Sequence, residues 1–389
     1  MNILFLSGYN INPFDGGIAR ITHTLARQFQ SNGHIVWYLG YRKVSDDDSQ
    51  KQLYFPSGIP EATEENIIYL EKVIYEKNIN VVIVQTNPRK SYIQMLSKCK
   101  QHHSFLLISC FHNLILTQIS NYAYGMEYKL KKKRLSCVFS LLKNKWLNKL
   151  IVNLYIQKNK SQYRYIVDKS DVSVVLGNGH KEELLRMIGK EEDKSIKIIP
   201  NCIDEKNSVG AYKENEILWV GSVDCSVKRI DYMIDIWQRI YQKRPNWILR
   251  ILGDGPALKE MQKRVEDNKI KNIKFEGRVI PDTYYDRAKI ICVTSVHESF
   301  SLVTIEAKHH GVVPVVQDSF PMAKEIVHDG VDGLLVLPFN QKDFVDKLDY
   351  LMSNEELVKE YSQQAIEHSQ NYDVQRVSSL WENLFKSNY

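Results

Sequence analysis

The sequence predicts an α/β protein with two doubly wound domains in tandem. The chain has 389 residues, enough for two domains that each bury a full core. Most strand candidates are continuous apolar runs, which is typical of strands buried on both faces of a parallel sheet. Helical segments separate these runs, and the series restarts after Pro200-Asn201. We therefore expect right-handed β–α–β connections in both halves.

Each half of the chain supplies a series of strand candidates, which sets the predicted domains. Those of the first half are Asn2–Ser7, Ile35–Leu39, Asn80–Gln85, Phe105–Cys110, Val172–Leu176 and Ile196–Ile199. Those of the second half are Ile217–Val220, Trp247–Leu252, Ile273–Phe275, Ile290–Val293, Val312–Val316 and Leu334–Val336. We predict an N-terminal domain over residues 1–200, a linker near 200–210 and a C-terminal domain over 201–371.

Residues 372–389 follow the second predicted domain, and their apolar side chains recur at helical spacing. This pattern predicts an amphipathic helix. The periodicity leaves open where the helix packs, and one interpretation is that it crosses back to the N-terminal domain. Its apolar positions are Val374, Val377, Leu380, Trp381, Leu384 and Phe385.

Cysteine usage and hydropathy indicate a cytoplasmic protein. The six cysteines form no CxxC and match no zinc spacing, so we expect reduced thiols. The first ten residues enter an apolar strand without a basic leader region, so we expect no signal peptide. No apolar run reaches about 18 residues, so we expect no membrane-spanning helix.

The positive charge of the chain is concentrated in one segment. The chain carries 52 Lys or Arg against 46 Asp or Glu, and residues 128–164 hold eleven of the basic residues and no acidic one. One interpretation is a basic amphipathic helix on an anionic membrane, which makes the protein peripheral on the inner face. The alternative is a core-packed helix with a solvated lysine face. Nucleic acid is disfavoured because no nucleic-acid motif accompanies the charge. The apolar positions at helical spacing are Leu135, Val138, Phe139, Leu142, Trp146 and Leu150.

Ligands bind doubly wound sheets at the carboxyl ends of the strands, so the loops there are candidate sites. In the first half, Gly16-Gly17 precede a predicted helix, whose N-terminus attracts an anion while the glycines let the backbone approach a ligand. The pattern is not GxGxxG, which disfavours a nicotinamide dehydrogenase. His112 follows the fourth strand, where it could donate a hydrogen bond or move a proton. A plain turn and a structural histidine are the alternatives.

Basic residues follow the first strand of the second half. After Gly221-Ser222, Lys228-Arg229 open a predicted helix. Basic side chains at a strand-to-helix junction suit a diphosphate. The alternative is a solvated helix start.

Two glutamates flank the start of a later helix. Glu298 and Glu306 are separated by seven residues, and Ser299 is the predicted cap of the helix between them. One carboxylate could hold sugar hydroxyls and the other ribose hydroxyls, with the N–H groups of Ser301 and Leu302 facing a phosphate. The alternative is a pair of surface carboxylates, one of them favoured by the helix dipole.

Taken together, these residues resemble the retaining family 4 glycosyltransferases. That family has the B-type glycosyltransferase fold, in which two Rossmann-like domains face a cleft. The resemblance covers nearly the whole chain, and its most specific part is Glu298, Phe300 and Glu306 followed by Gly311-Val312-Val313-Pro314-Val315-Val316. The other matching pieces are Gly16-Gly17, Phe111-His112-Asn113, Ile199-Pro200-Asn201, Trp219-Val220-Gly221 with Lys228, Gly253-Asp254-Gly255-Pro256 and Glu276-Gly277-Arg278-Val279.

The resemblance implies a nucleotide-diphosphate sugar as donor, retention at the anomeric carbon, and a glycan or lipid-linked glycan as acceptor. It implies that Glu298 contacts the donor sugar, Glu306 the ribose and Lys228 the diphosphate. The backbone near Val279 is then expected to meet the base.

The resemblance also assigns roles in the first half and exposes two departures. It implies that His112 lies beside the donor sugar and Gly17 near its phosphate. Many relatives have Arg at the position of Ser222, so one diphosphate cation is missing or is supplied from elsewhere, with Arg229 as the candidate. A common Gly is Ser301 here; its amide remains available, but a Cβ stands near the donor.

Preorganised donors facing the departing diphosphate should supply the largest catalytic term. Lys228 and the amides of Ser301 and Leu302 are the candidates. No DxD-like pair lies at a strand end, and Asp46-Asp47-Asp48 sits in a polar loop, so we expect no metal and no other cofactor.

The expected setting is bacterial surface polysaccharide synthesis. Alternatives are an epimerase or phosphorylase on the same fold, or a non-catalytic nucleotide-sugar-binding scaffold with a degenerate donor site.

Overall fold

The computed structural model of the protein describes residues 1–12, 16–43, 51–204 and 213–388. Their contacts divide the chain into two compact units. The first unit comprises Met1–Ile115, Leu154–Glu205 and Tyr372–Tyr389, and the second comprises Leu116–Asn153 and Lys206–Asn371. The predicted loop with Asp46-Asp47-Asp48 lies outside the described residues, as does part of the predicted linker.

Each unit contains one parallel sheet. The sheet of the first unit has the order β3-β2-β1-β4-β5-β6-β7, and that of the second has the order β10-β9-β8-β11-β12-β13. The strands are β1 (Asn2–Leu6), β2 (Ile35–Gly40), β3 (Gln52–Tyr54), β4 (Val81–Val84), β5 (Leu106–Cys110), β6 (Val172–Val175), β7 (Ile196–Ile198), β8 (Glu214–Val220), β9 (Ile248–Leu252), β10 (Ile273–Gly277), β11 (Ala288–Val293), β12 (Val313–Gln317) and β13 (Leu334–Val336).

Helices connect the strands, as parallel pairing requires. In the described residues they are α1 (Gly17–Ser31), α2 (Glu64–Glu76), α3 (Lys90–Cys99), α4 (Thr117–Ser120), α5 (Tyr122–Lys132), α6 (Ser136–Leu142), α7 (Lys145–Lys169), α8 (Asn178–Ile188), α9 (Ile230–Ile240), α10 (Leu258–Asp267), α11 (Asp282–Arg287), α12 (Leu302–His309), α13 (Ala323–Ile326), α14 (Gln341–Ser353), α15 (Glu355–Ser369) and α16 (Val374–Asn388). A 3₁₀ turn, Gln370–Tyr372, precedes α16.

The predicted α/β class and the two doubly wound sheets are confirmed. All twelve predicted strands occur, most of them as buried apolar runs: every residue of β4, with the sequence VVIV, is fully inaccessible to solvent. Strands β7 and β10 are less buried. Strand β3 was missed. It has three half-buried residues and pairs only with β2 at the edge of the sheet, so it carries no apolar run that a sequence pattern could detect.

The strand order places a reversal in each sheet. In the first unit β1 lies between β2 and β4, and in the second β8 lies between β9 and β11. From β1 the chain continues to β2 on one side, whereas from β4 it continues to β5 on the other side. In the second sheet the connections from β8 to β9 and from β11 to β12 likewise run in opposite directions. Such a switch point opens a crevice at the carboxyl ends of the two strands.

The basic segment differs from its prediction in two respects. The sequence predicts this segment as one amphipathic pattern within the N-terminal domain. In the structure residues 116–153 group with the second unit. The pattern is also divided among three helices, α5, α6 and α7. Arg134 interrupts it with a left-handed backbone, φ 58°. A hydrophobic repeat shows which side of a helix is apolar. It shows neither where the helix is interrupted nor which element the apolar side packs against.

Helix α16 belongs to the first unit. Trp381 and Phe385 pack edge-on against Phe29 of α1, with ring centroids 6.4 and 5.6 Å away. Five of the six predicted apolar positions are buried, whereas Leu380 is 41% exposed. Among the described residues, no helix combines the length and the apolar character needed to cross a bilayer.

Candidate active site

The loop after β8 is shaped by one carboxylate. Oδ1 of Asp224 accepts hydrogen bonds from the backbone N–H groups of Ser226 and Val227 at 2.9 and 2.6 Å. Short Asp side chains stabilise turns in this way. The carbonyl of Val227 in turn accepts the N–H of Val296, from the loop after β11, at 2.7 Å. The two loops at the switch point of the second unit are thus tied together.

This arrangement brings Lys228 and Glu298 into contact. The Lys228 ammonium lies 2.5 Å from Oε1 of Glu298, and the Ser295 hydroxyl donates to the same oxygen at 2.6 Å. The two side chains are 24% and 11% exposed. Because an ammonium group has three donors, Lys228 can hold Glu298 and still offer hydrogen bonds to an anion.

Two further residues support this pair and were not singled out from the sequence. The hydroxyl of Thr294 donates to the carbonyl of Lys228 at 2.8 Å and accepts the indole N–H of Trp219 at 2.9 Å. Asn121, from the loop before α5, donates to the carbonyls of Val296 and Ser319 at 2.9 and 2.7 Å. Thr294 and Ser295 stand directly after a buried strand, which is the signal that could have found them. No such signal exists for Asn121.

Helix α12 begins at Leu302, and Ser301 is its N-cap residue. The predicted cap, Ser299, is therefore wrong. Ser301 has a left-handed backbone, φ 62° and ψ 63°, and its hydroxyl lies 2.8 Å from that of Thr304. Phe300 is buried and seats the start of the helix. The first N–H groups of a helix have no partner within it, so they are available to an anion.

The left-handed backbone of Ser301 predicts that glycine stabilises the protein more than alanine at this position, which reverses the usual order. A non-glycine residue in the left-handed region costs about 1–2 kcal/mol. Both Ser301→Gly and Ser301→Ala lose the hydroxyl contact, but only glycine relieves the strain. We expect the glycine variant to exceed the alanine variant in free energy of unfolding by about 1 kcal/mol. Urea unfolding measures this difference.

The matched control is Gln363, an exposed residue in the middle of α15. There the order should be the ordinary one, with alanine more stable than glycine by about 1 kcal/mol. The same order at both positions would show that Ser301 carries no backbone strain.

Glu306 lies further along α12 and is half-buried. Its Oε2 is 3.4 Å from the hydroxyl of Tyr285. Val279 follows β10 and is 37% exposed. Ser222 is exposed in the loop after β8. All three stand at or beyond carboxyl ends of strands in the second unit.

Arg229 does not replace the missing diphosphate cation. Its guanidinium is buried and donates to Asp231 at 3.0 Å, to Glu127 at 3.0 Å and to the carbonyl of Tyr124 at 2.9 Å. These bonds are directed to α5 and to the start of α9. A buried charge that loses such partners is costly, so Arg229 has a structural role, which corrects its assignment to the donor site.

The Gly253-Asp254-Gly255-Pro256 turn is structural. A Cβ on Gly253 would stand 1.8 Å from the carbonyl oxygen of Gly221. Only glycine therefore allows the loops after β8 and β9 to approach this closely. The contact holds the loop that leads to Lys228 against its neighbour.

The first unit presents its own strand-end residues. His112 follows β5 and is buried, and neither ring nitrogen has a hydrogen-bond partner among the described residues. Gln85 follows β4 at the switch point, and both its amide atoms are likewise buried without a partner there. Buried polar groups without partners are rare. The sequence pattern includes Gln85 in the predicted strand Asn80–Gln85, and the structure shows that the strand ends one residue earlier.

The glycine pair stands at the start of α1. Gly17 is the first residue of the helix, and Gly16 precedes it with φ 122°. Nothing among the described residues lies within 4 Å of the place where a Cβ on Gly16 would be. No described residue therefore covers this side of the helix start.

Burial, with a smaller contribution from His180, lowers the pKa of His112 to about 4. The imidazole is therefore neutral at pH 7. An unfolded histidine titrates near 6.5, so the unfolded chain binds more protons than the folded one between about pH 6.5 and 4. Stability must fall as the pH falls through this window, by at most about 1.4 kcal/mol per pH unit for one group.

We expect His112→Gln to reduce this pH dependence, measured as the free energy of unfolding in urea at several pH values. The control is His102→Gln, since His102 is an exposed histidine on the surface of the same unit. A slope that is unchanged in the His112 variant would contradict the buried neutral state.

One group in the described residues has the side chains of a metal site: His328, Asp332 and His368. The ammonium of Lys308 already occupies it, 2.9 Å from Oδ2 of Asp332 and 2.7 Å from Nδ1 of His368. The two imidazole rings are stacked, 4.2 Å apart and 9° from parallel, so their lone pairs do not converge on one point. Burial lowers the pKa of Lys308 to about 8 although Asp332 opposes the shift. We interpret the group as an ion cluster centred on the buried pair of Lys308 and Asp332.

Comparisons with known proteins find glycosyltransferases among the relatives and structural neighbours of this chain. Residues 203–368 match the family model of the glycosyl transferases group 1. The chain is 30% identical over 213 residues to an uncharacterized glycosyltransferase of Haemophilus influenzae, covering 52% of this chain and 59% of the relative.

It is 26% identical over 216 residues to the GalNAc-alpha-(1->4)-GalNAc-alpha-(1->3)-diNAcBac-PP-undecaprenol alpha-1,4-N-acetyl-D-galactosaminyltransferase of Campylobacter jejuni, covering 54% of this chain. The chain spans 58% of the length of that relative. Among solved structures, the pneumococcal O-GlcNAc transferase GtfA in complex with UDP and GlcNAc has a TM-score of 0.74 at 11% identity, covering 100% of this chain and 99% of that one. Residues 203–368 of this chain are therefore similar to the glycosyl transferases group 1 family, and the whole chain has the two-domain fold of the B-type glycosyltransferases.

Proposed function

We propose that the protein transfers a sugar from a nucleotide-diphosphate sugar to a hydroxyl group of a glycan or lipid-linked glycan, with retention at the anomeric carbon. The observation that carries this proposal is the contact of Lys228 with Glu298 at the switch point of the second unit, within the family-matched part of the chain. It places a cation and a carboxylate side by side, where a sugar phosphate needs one of each.

The donor is held by groups of opposite character. The Lys228 ammonium binds the diphosphate, and the amides of Ser301 and Leu302 at the start of α12 complete that site. Glu298 accepts hydrogen bonds from hydroxyls of the sugar, and Glu306 accepts those of the ribose. The backbone near Val279 meets the base.

Catalysis follows from the charge that develops as the bond to the sugar breaks. The diphosphate becomes more negative, so Lys228 and the helix amides, already oriented, stabilise the transition state more than the bound donor. This cationic role of Lys228 is the reason that we expect transfer to need no metal.

In the first unit we assign His112 to the donor sugar and Gly16-Gly17 to its phosphate. A neutral imidazole can accept or donate one hydrogen bond to a sugar hydroxyl, and the low pKa of His112 keeps it neutral. It does not act as a cation at neutral pH. Because no described residue covers the Cβ position of Gly16, the first N–H groups of α1 are proposed to receive the phosphate.

The acceptor and setting are proposed from the relatives. The name of the Campylobacter relative describes an acceptor linked to undecaprenol through a diphosphate. We extend a lipid-linked or free glycan acceptor to this chain, in bacterial surface polysaccharide synthesis. The protein would then act in the cytoplasm at the inner face of the membrane.

A second candidate is a nucleotide-sugar-binding protein without turnover. It is favoured by Ser222 at the place of the usual arginine and by Arg229, whose guanidinium is committed to Asp231 and Glu127. Lys228 is then the single basic side chain that we assign to the diphosphate. Such a protein would bind the donor and release no nucleoside diphosphate.

The test is a thermal-shift titration with uridine, guanosine, adenosine and cytidine diphosphate sugars, with and without EDTA. Because a ligand stabilises the folded state by RT ln(1 + [L]/Kd), the true donor should raise the Tm selectively, and EDTA should leave the shift unchanged. Release of the nucleoside diphosphate with an added glycan acceptor then separates a transferase from a binding protein. Sugar phosphate formed from inorganic phosphate would indicate a phosphorylase, and donor isomerised without acceptor an epimerase. No shift with any donor would overturn the proposal.

A further inference from the structure

Helix α6 and the start of α7 expose an apolar surface. The indole of Trp146 is 82% exposed, more than any other large apolar side chain of the described residues. Leu141 and Leu150 are 63% and 55% exposed. Trp146 and Leu150 are four residues apart on one helix, so they share a face. Single exposed leucines are ordinary on protein surfaces, but several large exposed apolar side chains in one short segment, a tryptophan among them, are typical of an interaction site.

Basic side chains surround this apolar surface. Residues 128–153 contain eight Lys or Arg and no Asp or Glu. Within the described part of the chain, ion pairs to carboxylates involve Lys131 and Lys132 of this segment, whereas Lys133, Lys145 and Lys149 form none. Lys145 and Lys149 flank Trp146 and Leu150 on α7. Their charge is thus available to an anionic partner.

Helix α5 holds the segment on the second unit. The Tyr128 hydroxyl donates to Glu260 of α10 at 2.5 Å, and the rings of Tyr124 and Phe339 stack with centroids 3.5 Å apart. The carboxylates near the segment, Glu127 and Glu260, are engaged by Lys131, Lys132 and Arg229. The acidic groups therefore lie on the packed side of the segment, and the unpaired lysines remain with Trp146.

We propose that α6 and the start of α7 bind the surface of an anionic lipid bilayer, with Trp146 in the interface and the lysines on the headgroups. An exposed tryptophan with leucines and flanking lysines matches the two components of such binding, apolar insertion and charge attraction. The same charge without the apolar side chains would suit any polyanion. The inference goes beyond sugar transfer and does not depend on it.

The position of the tryptophan makes the proposal measurable. Of the six tryptophans, Trp219, Trp237, Trp247 and Trp381 are buried and Trp37 is half-buried. Vesicles containing brominated phosphatidylcholine quench only indoles that reach the acyl region. We expect such vesicles to quench the intact chain when they also contain phosphatidylglycerol, and to leave Trp146→Phe unquenched.

Sedimentation with vesicles tests the charges. We expect the chain to bind phosphatidylcholine vesicles only when they contain phosphatidylglycerol, and to release at high salt. The double variant Lys145→Gln/Lys149→Gln should bind about 25-fold more weakly, because each basic side chain near an anionic surface contributes about a fivefold factor. The matched control, Lys263→Gln/Lys271→Gln, removes two exposed charges elsewhere in the same unit and should bind like the unaltered chain.

Three results would overturn the proposal. One is equal binding of the Lys145/Lys149 variant and of its control. Another is binding to anionic vesicles without quenching of Trp146, which would indicate a general polyanion surface. The third is burial of the apolar surface between two copies of the chain. Ultracentrifugation would show it as self-association that Trp146→Phe abolishes. The donor titration is unaffected by each of these results, so failure of the surface and failure of the transferase proposal are distinguishable.

Discussion

Replacing Lys228 with alanine is expected to slow sugar transfer by about 100- to 1,000-fold, the effect of removing one preorganised donor from a developing negative charge. The loss should appear mainly in kcat, because the diphosphate carries more charge in the transition state than in the bound donor. The measurement is steady-state kinetics with the donor that the thermal-shift panel identifies.

Two further variants separate charge from geometry. Lys228→Arg keeps the cation but alters its reach and hydrogen-bond directions, so we expect partial activity. Lys263→Ala removes an exposed lysine of α10 and should leave kcat unchanged. Full activity of Lys228→Ala would show that the diphosphate is held elsewhere, and it would remove the main support for the proposed donor site.

Glu298→Gln is expected to separate sugar binding from diphosphate binding. The substitution removes the carboxylate that the Lys228 ammonium and the Ser295 hydroxyl contact. The affinity for the sugar nucleotide should fall about 10- to 100-fold, the value of a charge-assisted hydrogen bond. The affinity for the nucleoside diphosphate without sugar should stay the same or rise, because Lys228 no longer shares its charge with Glu298.

Calorimetric titration with the two ligands measures this difference. Ser295→Ala is the companion variant, because it removes one hydrogen bond to Glu298 and leaves the carboxylate in place. It should lower the affinity for the sugar nucleotide by a smaller factor than Glu298→Gln. An equal loss for both ligands in Glu298→Gln would mean that Glu298 acts by positioning Lys228 and does not contact the sugar.

The meeting of Lys228 and Glu298 followed from sequence because it depends on strand order. Buried apolar runs identify β8 and β11, and a doubly wound sheet makes these strands neighbours. The loops at their carboxyl ends must then adjoin. His112 and Gly16 are candidates for the same reason, because they lie in loops that follow predicted strands. Ser295 also follows a predicted strand, Ile290–Val293, so its position is visible in the sequence.

Arg229 shows where this reasoning fails. It follows Lys228 directly in sequence, yet its guanidinium is turned to Glu127, a residue of α5 about 100 positions earlier. A helix start presents successive side chains in different directions, so the neighbour of a ligand-binding lysine is free to point into the protein. The partner that decides its direction is distant in sequence and leaves no local pattern.

The sequence by itself determined the two parallel sheets, their helices and the loops that carry the candidate residues, because burial on both faces of a strand demands an apolar run that is visible in the chain. Only the tertiary structure decided that residues 116–153 join the second unit, that Ser301 adopts a left-handed backbone before α12, and that Trp146 is left uncovered. These features depend on contacts between segments far apart in sequence, and a hydrophobic repeat records that a face is apolar without recording what, if anything, packs against it.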